Sequence, residues 1–165
     1  MHPCEQVRYL LEDNVFVLKL IGTLRFNAAP YLDAALSYIP VESINDIIID
    51  MTQTDHIDST ILGSIAKYFI SIENRKRLFK KQPIIVFKNE DVKQTFSKIG
   101  FDKFFIFQNA NPKINSPIES FSRVEEPLNV EKSIKSYVLQ AHKVLNELQP
   151  NDPSLKLVVQ LLKDK

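Results

Sequence analysis

Apolar positions alternate twice near the start of the chain. Val7, Tyr9 and Leu11 share one face of residues 5 to 11, and Phe16, Leu18 and Leu20 share one face of residues 15 to 21. That period of two marks strands. Asp13 and Asn14 between them tolerate left-handed backbone, which predicts a hairpin, and Gly22 is expected to end its second strand. The period then lengthens. Leu32, Ala35, Leu36 and Ile39 recur at helical spacing, with Asn27 as the expected cap, Pro30 in the first turn and Pro40 as the stop. Ile47, Ile48 and Ile49 are apolar on both faces, so residues 44 to 51 read as a strand inside a sheet. A polar loop is expected next, followed by a helix from Thr60 to about Asn74, carrying Ile61, Leu62, Ile65, Ala66, Phe69 and Ile70 on one side. Residues 83 to 87 form a short apolar strand. Residues 89 to 100 read as a capped helix with Val92, Phe96 and Ile99 inward, and residues 104 to 107 as a last strand. Strands alternating with helices predict an α/β fold whose sheet is largely parallel after an N-terminal hairpin and packed with α-helices.

Residues 108 to 127 lose all periodicity and contain Pro112, Pro117 and Pro127, which marks a linker. Residues 128 to 148 then carry Val130, Ile134, Tyr137, Ala141, Val144 and Leu148 in steps of four and three, widened by Val138 and Leu145. Asp152 and Pro153 open a second helix bearing Leu155, Val158, Val159 and Leu162. The chain is thus divided into a sheet domain (1–107), a linker (108–127) and a C-terminal helical hairpin (128–165). That hairpin must bury its apolar stripe, on the sheet domain, on a partner or in a homodimer.

Composition narrows the function classes. Lys plus Arg (21) nearly balances Asp plus Glu (20), so no global field favours nucleic acid or an anionic membrane. The basic cluster Arg75, Lys76, Arg77, Lys80 and Lys81 reads as a solvated helix end. Cys4 is the one cysteine, which excludes an internal disulfide and a thiolate zinc cluster and suits a cytoplasmic location. No leader pattern and no apolar run near the roughly 20 residues of a membrane helix is present. His2, His56 and His142 are scattered without metal-ligand spacing, so no metal is expected. Glycine occurs only at 22, 63 and 100, too sparse for a phosphate-cradling loop, and no nucleophile elbow surrounds Ser59. No cofactor and no enzymatic activity are expected.

One stretch remains as candidate chemistry. Between Asp50 and Gly63 an apolar run ends and an amphipathic pattern begins, with Asp58, Ser59 and Thr60 at the join. Asp and Ser are the ordinary capping residues of any helix. A serine in that place also meets unpaired backbone N–H groups and the positive end of a helix dipole, where a phosphoryl group is well received. Gly63, in the second turn, weakens the helix by about 1 kcal/mol relative to alanine unless something approaches its backbone, which hints at a contact surface.

Four markers in order give the chain a resemblance to the STAS domains, named for sulfate transporters and anti-sigma factor antagonists. They are the segment Gly22 to Leu32, the run Ile47 to Asp50, the segment Ile57-Asp58-Ser59-Thr60-Ile61-Leu62-Gly63, and Ile99 to Phe105. The C-terminal hairpin is similar to the tail of longer single-domain antagonists. The resemblance implies a phosphorylation-controlled protein-binding switch in a bacterial partner-switching pathway, acting in signal transduction and transcription regulation. Ser59 would be the phosphoacceptor, with Thr60 a secondary one. Asp58, Ser59, Thr60, Leu62 and Gly63 would form the partner surface. The implied partners are an anti-sigma factor or serine kinase, bound by the unphosphorylated form, and a PP2C-type phosphatase. Ile61 stands where the family commonly has a small residue, and its branched side chain is expected to alter that surface. The alternative implications are a STAS adaptor subunit of a transporter or other assembly that works without phosphorylation, and a STAS module that senses a small ligand.

Overall fold

The computed structural model describes residues 1–70, 81–110, 118–127 and 130–148 of the 165-residue chain. A six-stranded sheet is built from β1 (Val7–Glu12), β2 (Val15–Leu24), β3 (Asp46–Ile57), β4 (Ile84–Phe87), β5 (Ile106–Asn109) and β6 (Ser122–Arg123). The strand order is β5-β4-β3-β2-β1-β6. The β1–β2 and β1–β6 pairs are antiparallel, and β2 through β5 pair in parallel. Helices α1 (Pro3–Gln6), α2 (Ala29–Ser37), α3 (Ser59–Ile70), α4 (Glu90–Lys98) and α5 (Val130–Leu148) complement it.

The hairpin forms as the alternation requires, and Asp13 and Asn14 both adopt positive φ, 52° and 61°. Register aligns Tyr9, Leu18, Ile49 and Ile85 across four strands. Their neighbours two residues along, Phe16, Leu20, Ile47, Met51 and Phe87, face the same way and meet Leu32, Leu36, Ile65 and Phe69 in one core. Aromatic contacts, edge-to-face except for the stacked Phe101–Phe105 pair, extend that core from Phe69 through Phe105, Phe101 and Phe96 to Phe87. On the opposite sheet face Lys19, 2% exposed, pairs with Asp50 at 2.9 Å beneath the Phe121 ring. Asp50 also accepts from Thr52 N and Oγ1, so the buried carboxylate is satisfied.

Several boundaries differ from the sequence reading. Gly22 does not end β2: at φ +78° it sits at a register irregularity, and the strand runs on to Leu24. The polar stretch after Met51 is strand and not loop, because β3 continues to Ile57 by pairing with that extension of β2. Thr54 and Ile57 point inward there while Gln53, Asp55 and His56 are exposed, which hid the period in a polar composition. Asn27 lies inside a 3-10 turn (Phe26–Ala28), and Ala28 occupies the cap of α2 without a side-chain bond. A second 3-10 turn takes Phe101–Lys103, so the last parallel strand starts at Ile106 and Phe104 precedes it. Asn89 caps α4 through Asp91 N and Val92 N, and Gly100 takes φ +83°, both as read.

Within the stretch read as a linker, residues 118–127 contain a 3-10 turn and β6, with Phe121 and Val124 buried. The first helix of the expected hairpin is α5. The second helix, and the basic residues Arg75, Lys76, Arg77 and Lys80, lie outside the described residues. Lys81 stands 3.8 Å from the Asp46 carboxylate. Among the described residues no helix is long and apolar enough to cross a membrane, and no group of His, Cys, Asp and Glu could hold a metal ion.

Candidate functional site

Strand β3 delivers the chain to Asp58, and α3 begins at the next residue. Asp58 is pinned on both sides. Its backbone N–H donates to Leu24 O at 3.1 Å. Its Oδ1 accepts from Ile61 N at 3.0 Å and its Oδ2 from Phe26 N at 2.8 Å. One oxygen therefore caps α3, and the other ties that cap to the turn before α2. The carboxylate is half-buried and committed to backbone donors, so its part at this site is to fix the first turn of α3.

Ser59, the first residue of α3, is half-buried, and its Oγ lies 2.8 Å from His142 Nε2 on α5. The other imidazole nitrogen, Nδ1, lies 2.7 Å from Val138 O, an acceptor only. Nδ1 must carry a proton, so in the neutral ring Nε2 accepts and the serine hydroxyl donates. Thr60 is buried, its carbonyl accepting from Ser64 Oγ at 2.8 Å. Leu62 and Gly63 are buried as well. A Cβ built on Gly63 would lie 2.5 Å from Ala141 Cβ and 2.6 Å from Ala141 Cα, so the two helix backbones meet at a spacing only glycine allows. Gly63 thus serves the close approach that its position suggested, and what approaches it is the chain's own α5.

Ile61 is a correction. Its side chain is 0% exposed and belongs to the core under the sheet, so it presents nothing to the surface it was expected to alter.

Helix α5 packs mainly on α3, with α2 beside it. Among residues 134–148 of α5, Ala141, His142 and Leu145 are buried, and polar contacts edge the joint. Tyr137 OH donates to Asp33 Oδ2 at 3.0 Å, and Lys67 Nζ donates to Gln140 Oε1. Burial, then the Asp33 charge and that hydrogen bond, push the Tyr137 hydroxyl up to about 12. Burial likewise raises Tyr68. A cleft of about 90 Å³ opens between the three helices, lined by Asp33, Leu36, Ser64, Lys67, Tyr68 and Tyr137.

Of the five residues read as a partner surface, Asp58 and Ser59 are half-buried, while Thr60, Leu62 and Gly63 are buried, Leu62 in the same core as Ile61; His142 joins Ser59 from 83 positions away. In the sequence, His142 has no metal-ligand partner at helical spacing and so carries no chemistry by that criterion. A local signal existed: the imidazole interrupts the stripe of Val138, Ala141 and Leu145, where a polar group needs a partner once buried.

Comparison with known proteins bears on the fold. A model of the STAS domain matches residues 7–116. Among solved structures, an anti-sigma factor antagonist from Mycobacterium paratuberculosis is similar at 21% identity and a TM-score of 0.50, over 63% of this chain and 86% of that one. The anti-sigma factor antagonist SpoIIAA in its unphosphorylated form matches at 16% identity and a TM-score of 0.49, over 65% and 91% of the two chains. The Bacillus cell fate determinant SpoIIAA in the phosphorylated form matches at 16% and 0.48, over 65% and 93%. No curated protein is significantly similar.

Proposed function

Since this chain belongs to the STAS domain family, we propose that it is an anti-sigma factor antagonist, a non-enzymatic protein-binding switch in a bacterial partner-switching pathway with Ser59 as its phosphoacceptor. The observation that carries this reading is the position of Ser59. It is the first residue of α3, behind a cap that fixes the turn, and its hydroxyl is half-buried while that of the next residue, Thr60, belongs to a buried side chain. Phosphorylation adds about −1.5 to −2 charges there, beside the Asp58 carboxylate, so a protein packed on the first turns of α3 meets repulsion and desolvation. The helix N-terminus receives the phosphate, and the fold survives the change. The solved anti-sigma factor antagonist from Mycobacterium paratuberculosis shares the fold, and its name supports an anti-sigma factor as the class of partner; the serine kinase and the PP2C-type phosphatase that resets the switch are what the resemblance of residues 57–63 to the family implies.

Calorimetry with the cognate anti-sigma factor or kinase tests the scheme. Ser59→Ala keeps binding and Ser59→Asp weakens it; equal affinities contradict the mechanism. The second reading, a STAS adaptor of a transporter that works without phosphorylation, draws on the engagement of Ser59 by His142. Recovery of a transporter ATPase in place of a kinase or anti-sigma factor in a pull-down decides for it.

A further inference from the structure

We propose that α5 is an intramolecular competitor for the partner surface of α3, a lid that must lift before another protein can engage Ser59 and the turn after it. The proposal rests on the reading of that turn as the partner surface, and it adds the regulation of the same site.

Three contacts place α5 there. His142 takes the Ser59 hydroxyl, the Ala141 backbone and methyl close over Gly63, and Leu145 is buried beside them. Together they occupy the surface as a docked partner helix would, with a small residue at the glycine, an acceptor at the serine and an apolar anchor one turn on. A kinase cannot thread Ser59 into its own active site while the hydroxyl is held by His142, and a partner cannot pack on Gly63 while Ala141 fills the space.

The same contacts make α5 separable. Of its residues 134–148, Ala141, His142 and Leu145 are buried, Tyr137, Val144 and Leu148 lie half-buried against the core, and the rest are half-buried or exposed. The α2 and α3 side chains around it, by contrast, include Leu32, Ala35, Ile65 and Phe69, which belong to the sheet-facing core. A helix held by few buried apolar groups and by exposed polar bonds opens at lower free energy than the core it rests on. Gly63 fits this design, since a glycine inside α3 weakens that helix and is required only while α5 lies against it.

The test uses the full chain with Ser59→Cys in a Cys4→Ser background, since the native thiol is half-buried and would also react. The rate of reaction with a small aromatic disulfide is compared with and without Ala141→Arg, whose guanidinium cannot fit over Gly63. Hydrogen exchange of α5 and β3 is followed on the same samples. Labelling is expected to be slower by about ten- to a thousandfold in the chain with Ala141, as for an open state populated at roughly 0.1–10%. It should keep pace with exchange in α5 while β3 stays protected. Equal rates with and without Ala141→Arg mean that α5 masks nothing and overturn the proposal. Labelling that tracks β3 means that α5 leaves only when the domain unfolds, which also overturns it. Where Ser59→Cys fails to retain β3 protection, hydrogen exchange of the natural chain is compared with that of Ala141→Arg alone: α5 amides that exchange faster than β3, and faster still in Ala141→Arg, support the proposal, and α5 amides that exchange only with β3 overturn it. Phosphate on Ser59 in cells bears on the switch alone, so each idea can fail while the other stands.

Discussion

Replacing Gly63 by alanine sets two effects of opposite sign against each other. In α3 taken alone the change is favourable by about 1 kcal/mol, because glycine loses more backbone freedom on helix formation. In the docked molecule the new methyl would stand 2.5 Å from Ala141 Cβ and 2.6 Å from its Cα. Carbon contacts are comfortable from about 3.5 Å, so α5 has to withdraw by roughly 1 Å. Overpacking of that kind costs about 1–3 kcal/mol. The withdrawal also lengthens the 2.8 Å Ser59–His142 bond one turn away, itself worth about 0.5–1.5 kcal/mol. The propensity gain is common to docked and undocked forms, so it cancels from the docking equilibrium and appears only in the stability of the domain. Docking is therefore weakened by about 2 kcal/mol, roughly thirtyfold, while the sheet domain is slightly stabilised. Hydrogen exchange resolved to α5 and β3 separates the two. Exchange in α5 should rise about thirtyfold, whereas β3, which loses about 2 kcal/mol of docking and gains about 1 kcal/mol of propensity, should rise by about fivefold at most. An α5 as protected as in the parent chain, with the whole protein about 1 kcal/mol more stable, would refute the close approach at Gly63.

Three further outcomes follow from named contacts. His142→Ala leaves the Ser59 hydroxyl without its acceptor and should weaken α5 docking by about 1 kcal/mol, read as exchange in α5 faster by about fivefold; no change contradicts the bond. Lys19→Met strands the Asp50 carboxylate in a buried site and should cost about 3–5 kcal/mol in urea unfolding, whereas Lys19→Met with Asp50→Leu should recover most of that loss. Tyr137 keeps its proton in the folded chain to about pH 12, while the unfolded chain loses it near the ordinary value of 10.0. Stability is thus intact below pH 10.0 and falls as pH rises through about 12. Tyr137→Phe should flatten the urea midpoint across that window, with a residual slope from Tyr31 and Tyr68, both raised chiefly by burial. An unchanged slope contradicts the Tyr137–Asp33 contact.

The fold was legible wherever one face of an element is buried, because burial imposes a period. The Asp13-Asn14 hairpin, the isoleucine strand and the Asn89 cap of α4 all follow from local chemistry. Residues 52–57 were read as loop because their partner is the far end of β2, and a pairing between distant residues leaves little mark on a polar stretch. At the site, Asp58 and Gly63 announced a cap and a close approach, both set by backbone geometry. His142 and Ala141 were hidden as contacts, since what they touch depends on where α5 docks, and a helical stripe states that a surface must be covered without saying which. Ile61 shows the reverse error: placed by motif it belongs to a surface, placed by the period of α3 it belongs to the core.

The central claim is that Ser59 is the residue phosphorylated in the cell. Mass spectrometry of the protein recovered from cells with and without its serine kinase tests it most directly. The account predicts phosphate on Ser59 when the kinase is present and none when it is absent. An unmodified Ser59 in both, or phosphate on Thr60 in its place, would contradict it.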